Sequence, residues 1–231
     1  TGQSGLRVVD LDQNGQNDYV LTLWSAAETV VWYRQMDDSF VKYVIDTETT
    51  TLSHGEKFMD IDGDGDNDLA AANIMSDNVS ILLNNGDGTF ASPINFEGSG
   101  NGETAAATSD VNGDGIMDLF LGAIYSDEVI LWLGDGNGGF TFSNKVSVGN
   151  GPWMVVSGDV NSDGTPDVVC ANSSGSSFSV VLCDSVGNLS SPVDYPVGQF
   201  PISVDLGDVD GDLDLDIVTS NFTGANFSLY E

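Results

Sequence analysis

The chain has 231 residues, room for one large domain or two small ones. Five Lys and Arg stand against 36 Asp and Glu, a formal charge of -31, which excludes nucleic acid and anionic membrane surfaces as electrostatic partners. Hydrophobic residues make up 40%, with 11 Phe and 4 Trp, so a core can be buried and wholesale disorder is excluded; no apolar run approaches the ~18 residues of a membrane span.

The opening TGQSGLRVV has no signal-peptide pattern and reads as the start of a mature or excised chain. From there, short runs rich in Val, Ile, Leu and aromatics occupy residues 6–11, 19–24, 29–33 and 40–45, with turn residues between them. The scheme returns at 58–61, 69–74, 79–83 and 90–96, and no window of 11 or more residues has a helical period. Each unit therefore reads as four short antiparallel strands.

The units are true repeats. DLDQNGQNDYV from Asp10, DIDGDGDNDLA from Asp60, DVNGDGIMDLF from Asp110, DVNSDGTPDVV from Asp159 and DVDGDLDLDIV from Asp208 start 50, 50, 49 and 49 residues apart. Thirty residues after the first four starts stand Phe40, Phe90, Phe140 and Leu189, and seven residues before the last two stand Pro152 and Pro201. Four strands per period of this length is the pattern of a β-propeller blade, which buries both sheet faces only by stacking on its neighbours. The reading is one all-β domain over residues 1–231, with repeats at about 3–49, 50–99, 100–149, 150–198 and an incomplete 199–231. It closes as a five-bladed ring or belongs to a larger one.

Within each nine-residue segment, oxygen-bearing side chains fall at positions one, three, five and nine. They are Asp10, Asp12, Asn14 and Asp18; Asp60, Asp62, Asp64 and Asp68; Asp110, Asn112, Asp114 and Asp118; Asp159, Asn161, Asp163 and Asp167; and Asp208, Asp210, Asp212 and Asp216. Position six is Gly15, Gly65, Gly115 or Gly164, but Leu213 in the last. Ca²⁺ takes six to eight oxygens, and a glycine-turned loop with alternate inward side chains can supply them. Backbone carbonyls at position seven (Gln16, Asp66, Ile116, Thr165 and Asp214) complete the expected set. An EF-hand would need Glu at position 12, where these segments have Leu21, Ala71, Leu121, Cys170 and Thr219 inside strands. The plainer alternative is a set of Asp-Gly hairpin turns. Such turns need one acid each, whereas these loops hold 19 of the 36 acids, a crowding that calls for a cation. Up to five structural Ca²⁺ are expected.

These segments, together with the NNGDGTF and GDGNGGF turns and the Gly-x-x-Pro lead-in at Pro201, resemble the FG-GAP or VCBS repeats of integrin α-subunit heads and of certain lectins. The resemblance implies a Ca²⁺-stabilised propeller whose metal loops join first and second strands on one face. It also implies that a binding surface lies on the opposite face. There the sequence places Trp24, Tyr125 and Phe222 in second-to-third strand loops, and Trp153, with His54 and Phe200, in inter-blade connections. Aromatics ringed by polar residues suit sugar stacking or protein contact, against the alternative that they pack between blades.

Catalysis finds little support. His54 is the only histidine, and no nucleophile elbow, zincin helix or phosphate loop occurs, so the chain is not expected to be an enzyme. The expected role is a secreted or cell-surface module that binds a glycan or an extracellular protein, without membrane insertion. The alternatives are a structural segment of a larger surface protein, or a polysaccharide-active domain using two carboxylates. Cys170 and Cys183 are either a disulfide or two buried thiols.

Overall fold

A computed structural model of the chain describes residues 2–24, 30–36, 39–46 and 53–231. Its strands form five antiparallel sheets in chain order. The first holds β1 (Gly2–Val9), β2 (Asp18–Trp24), β3 (Val30–Met36) and β4 (Ser39–Asp46). The second holds β5 (Ser53–Met59), β6 (Asp68–Asn73), β7 (Asn78–Leu82) and β8 (Ile94–Glu97). The third holds β9 (Glu103–Ser109), β10 (Asp118–Ala123), β11 (Glu128–Gly134) and β12 (Phe140–Ser147). The fourth holds β13 (Pro152–Gly158), β14 (Asp167–Asn172), β15 (Ser177–Val181) and β16 (Val193–Pro196), and the fifth β17 (Pro201–Gly207), β18 (Asp216–Asn221) and β19 (Asn226–Tyr230). In each sheet the strands follow in simple up-and-down order, the arrangement of propeller blades.

The second strands explain why the sheets must stack. β6, β10 and β14 (DLAAAN, DLFLGA and DVVCAN) are buried at every residue, so both faces of each sheet are covered. One apolar cluster fills each gap between consecutive sheets. Leu11, Trp32, Leu69 and Leu82 lie between the first and second, and Ile81, Ala106, Leu119 and Leu121 between the second and third. Phe120, Leu131, Val155 and Val168 fill the next gap, and Val169, Phe178, Val204 and Ile217 the last. Among the described residues no such cluster joins the fifth sheet to the first.

The Gly-rich turn between third and fourth strands leans on the preceding sheet. Gly88, at φ +79°, lies so close to Trp32 that a β-carbon there would overlap the indole. This is why the GDGTF signature carries glycine, and why Phe90, Phe140 and Leu189 each pack into the cluster shared with the sheet before. The fifth sheet has three strands, and a groove lined by Leu182, Tyr195 and Tyr230 lies beside it.

Two expectations change. The apolar runs at 6–11 and 58–61 are not wholly strand: β1 ends at Val9 and β5 at Met59. Leu11, Ile61 and Val111 belong to the loops, buried as plugs beneath the acids, and it is this apolar second position that extends the strand pattern in the sequence. The run at 90–96 is likewise shorter. Phe90 makes an isolated bridge to Asn84, and the strand begins at Ile94. The register also shifts at the start of every first strand, skipping Ser4, His54, Thr104, Trp153 and Ile202. A bulge recurs there in all five sheets. Cys170 and Cys183 are buried free thiols, which settles that alternative.

Candidate metal loops and the opposite rim

All five acidic segments connect the first strand to the second, and their side chains are fixed by the loop's own amides. In the second loop Asp60 accepts from the Gly63 and Gly65 amides at 2.7 and 3.0 Å, Asp62 from Asp64 at 3.3 Å and Asp64 from Asp66 at 2.9 Å. Asp68, fully buried, accepts from the Ile61 amide at 2.8 Å and reaches across to the Asn84 amide at 2.7 Å. The same frame holds Asp110 against Gly113 and Gly115, Asp159 against Gly164, and Asp208 against Gly211 and Leu213. At position nine Asp18, Asp118, Asp167 and Asp216 each accept from the amide of the apolar position-two residue seven residues earlier. The position-seven amides of Gln16, Asp66, Ile116, Thr165 and Asp214 donate to the side chain at position five, which fixes the peptide units whose carbonyls are the expected ligands.

These oxygens converge. Ligand atoms of Asp10, Asp12 and Asp18, of Asp60, Asp62 and Asp68, and of Asp208, Asp210 and Asp216 lie within 4.8 Å of one another. In the third and fourth loops position three is Asn112 or Asn161, whose amide nitrogen donates to Asp114 or Asp163 at 2.9 and 2.8 Å. Without a cation the crowding shows electrostatically. Burial, with the charges of Asp62 and Asp64 adding to it, pushes Asp68 up to about 6 against the pull of its two amide donors, and burial raises Asp167 to about 6 in the same way. Oxygen donors alone, convergent and short of positive charge, fit a hard divalent cation.

The loops are not identical. Positions four and six both take left-handed backbone: Gly63, Gly113 and Gly211 at four, but also Gln13 (φ 53°) and Ser162 (φ 60°). At position six Leu213 stands at φ 78° with its side chain almost wholly exposed, a conformation that costs roughly 1–2 kcal/mol without a glycine. In the first loop Asp12 forms an ion pair with Arg34, whose guanidinium also lies 5.7 Å from the centre of the Trp32 ring. Gln13 donates its side-chain amide to the Gly65 carbonyl at 2.8 Å and to Asp66, tying the first loop to the second.

At the far ends of the second strands lies the rim where the sequence places ligand contacts. Tyr125 is exposed and lies over Gly102, where a β-carbon would meet its ring. Phe222 is exposed and meets Phe200 edge-on with centroids 6.3 Å apart. Phe200 has φ 56°, at a position that Gly102 and Gly151 occupy in the preceding connections. Trp153 is part-buried at the bulge of β13, and the side chains of Trp24 and His54 lie outside the described residues. Tyr125, Trp153 and Phe222 thus belong to three separate sheets, and only Phe200 and Phe222 share one.

Several functional positions escape a reading of the sequence by type alone. Asp77 and Asp127, both left-handed, accept from the Gly102 and Gly151 amides of the next sheet at 2.7 Å and tie neighbouring sheets at this rim. Buried Asn73, Asn172 and Asn221 bond to Ser80, Ser179 and Ser228 within their own hairpins; the repeated seven-residue Asn-to-Ser spacing is the signal that finds them. Glu103 occupies the lead-in position of Pro152 and Pro201. It is fully buried, with one carboxylate oxygen on the Gly100 amide at 2.9 Å and the other unpartnered, and burial raises its pKa.

Comparison with known proteins follows the same lines. The FG-GAP-like repeat model matches residues 60–121, 110–170 and 159–219, most of the chain, and the protein belongs to that family. No curated protein matches it in sequence. Among solved structures it is similar to an Agrocybe aegerita lectin described as recognising non-reducing terminal N-acetylglucosamine (TM-score 0.63, 19% identity, 98% of this chain and 65% of that one). It is also similar to a protein from Lactobacillus plantarum (0.72, 19%, 100% and 67%) and to a virginiamycin B lyase from Staphylococcus aureus (0.65, 10%, 99% and 66%). The chain thus spans about two thirds of the length of each. At these identities the likeness is one of fold.

Proposed function

We propose that this member of the FG-GAP-like repeat family is an extracellular binding module, its acidic loops held by structural calcium and its opposite rim facing a glycan or protein ligand. The observation that carries the reading is the five-fold recurrence of a loop whose carboxylates are clamped by its own amides, with the acids of three of the five left facing one another. Bound Ca²⁺ supplies the charge that these oxygens lack and ties β5 to β6, and their counterparts in the sheets that follow, into rigid corners. Because the unfolded chain has no such site, binding adds to native stability, about 4 kcal/mol per site at a thousandfold excess over Kd. The melting midpoint is expected to fall by about 10 °C or more when EGTA replaces calcium in differential scanning calorimetry; an unchanged midpoint would remove calcium from the account.

On the rim, Phe200 keeps a strained backbone beside an exposed Phe222, and outliers of this kind mark sites where geometry serves binding. An aromatic pair edged by Asn and Thr suits the apolar face of a sugar. Binding to a glycan array, lost on Phe222→Ala with the melting midpoint kept, is the expected result. Equal binding by the variant would remove Phe222 from the site, and no binding by the wild type would leave the second reading, a structural segment of a larger surface protein. Neither reading makes the chain an enzyme. Among the described residues no helix is long and apolar enough to cross a membrane.

A further inference from the structure

The first loop differs from the others in one respect that bears on what fills it. In each of the first four sheets, position nine accepts an amide from the end of the third strand: Gln35 to Asp18, Asn84 to Asp68, Gly134 to Asp118 and Cys183 to Asp167. That common bond fixes the residue before it as equivalent. The equivalents are Leu83, Leu133 and Leu182 in three sheets, and Arg34 in the first. Leucine brings no charge to its loop. Arg34 reaches the loop, pairing with Asp12, and Asp12 in turn has its carboxylate buried and no amide donor of the kind that holds Asp62.

The geometry points to Arg34 as a built-in counter-cation of the first loop, so that calcium loads the loops beginning at Asp60, Asp110, Asp159 and Asp208 but not the one beginning at Asp10. The physical case rests on charge and on place. A guanidinium is cationic at every accessible pH, and a divalent ion among Asp10, Asp12 and Asp18 would share a carboxylate with it and be repelled. The first loop has no surplus of charge to hold both cations: it has as many carboxylates as the third and fourth loops, which face leucine rather than arginine. It carries three carboxylates, with Asn14 at position five, against the five carboxylates of the second loop. Arg34 is held from behind by the Trp32 ring, so the pairing is a packed feature of the first sheet. The first corner would then be held without metal, its join to the second loop made by Gln13 through the Gly65 carbonyl and the Asp66 carboxylate.

This inference rests on the reading of the loops as calcium sites, and the experiment separates the two. Wild type and Arg34→Leu, stripped with chelator and titrated with CaCl₂, are compared by native mass spectrometry and by isothermal titration calorimetry. Leucine is the residue of the three sheets that follow, which favours a folded variant. The expected result is one more calcium per chain in Arg34→Leu than in wild type, and loss of that extra ion in Arg34→Leu/Asp12→Asn. Equal counts in the two proteins overturn the proposal. Should Arg34→Leu fail to fold, single substitutions in wild type that remove the position-three oxygen altogether decide: Asp12→Ala leaves the calcium count unchanged while Asp62→Ala lowers it by one, and a lower count from Asp12→Ala overturns the proposal. A wild-type count of zero with a gain of one in Arg34→Leu would instead sink the calcium reading of the other loops and keep this one.

Discussion

The first and second acidic loops share a spacing and differ in how their charge is answered. In the second, four of five carboxylates within nine residues are held by backbone amides and Asp68 is pushed up to about 6; in the first, three carboxylates share the neighbourhood with Arg34. The lesson is that a repeated motif fixes backbone shape more tightly than it fixes contents. The amide-to-carboxylate bonds that shape the corner recur in both loops, at Gly15 and at Gly65, whichever cation completes it. Shape is local to the nine residues. Charge balance is decided by whatever third-strand residue happens to face them.

The largest effect that can break this comparison comes from the buried position-nine acids. Asp68→Ala removes the acceptor of two buried amides and a ligand together, and is expected to cost about 3 kcal/mol or more in calcium, measured by urea unfolding, and clearly less in EGTA. Asp18→Ala removes the same two kinds of amide acceptor and should cost the same with calcium as without it. Equal calcium dependence of the two variants would erase the distinction between the loops. Next comes the contact between the two sheets: Gly88→Ala, with a left-handed backbone and the Trp32 ring in the way, is expected to lose about 2–3 kcal/mol in the same assay.

Smaller effects sharpen the picture. Glu103→Gln should stabilise the chain by about 1 kcal/mol at pH 8 and have no effect near pH 4. The sign follows from burial. The folded-state pKa is raised, so the stability contributed by the protonated carboxyl is complete below the ordinary value and is lost as pH rises through the raised one. Melting curves of both proteins from pH 4 to pH 8 would check it, and parallel curves would refute it. Leu213→Gly relieves φ 78° in the fifth loop at the cost of a more flexible unfolded chain, for a gain of about 0.5–1 kcal/mol in thermal unfolding.

How much of this was legible in the sequence follows from which interactions are local. The acidic loops, their glycine at position six and the Phe90 and Phe140 turns are periodic, so alignment of the chain with itself finds them, and the five-sheet stack follows. The apolar pattern runs past the strand ends at Val9 and Met59 because a loop residue that plugs the core carries the same apolar signal as a strand residue. Arg34 and Glu103 were not legible as sites. Each breaks the repeat at one position, and its meaning depends on a partner elsewhere in the chain: Asp12 and the Gly100 amide. The bulge that skips Thr104 and Trp153 has no residue type in common and shows only in the register.

The claim that everything else depends on is that a divalent ion completes the corners that arginine does not. Crystals grown in calcium, with anomalous differences collected at long wavelength, test it most directly. The account predicts a peak amid Asp60, Asp62, Asp64 and Asp68 and in each of the three loops that follow, with Arg34 still on Asp12 in the first. Water alone at the second loop, its carboxylates turned out to solvent, would contradict it.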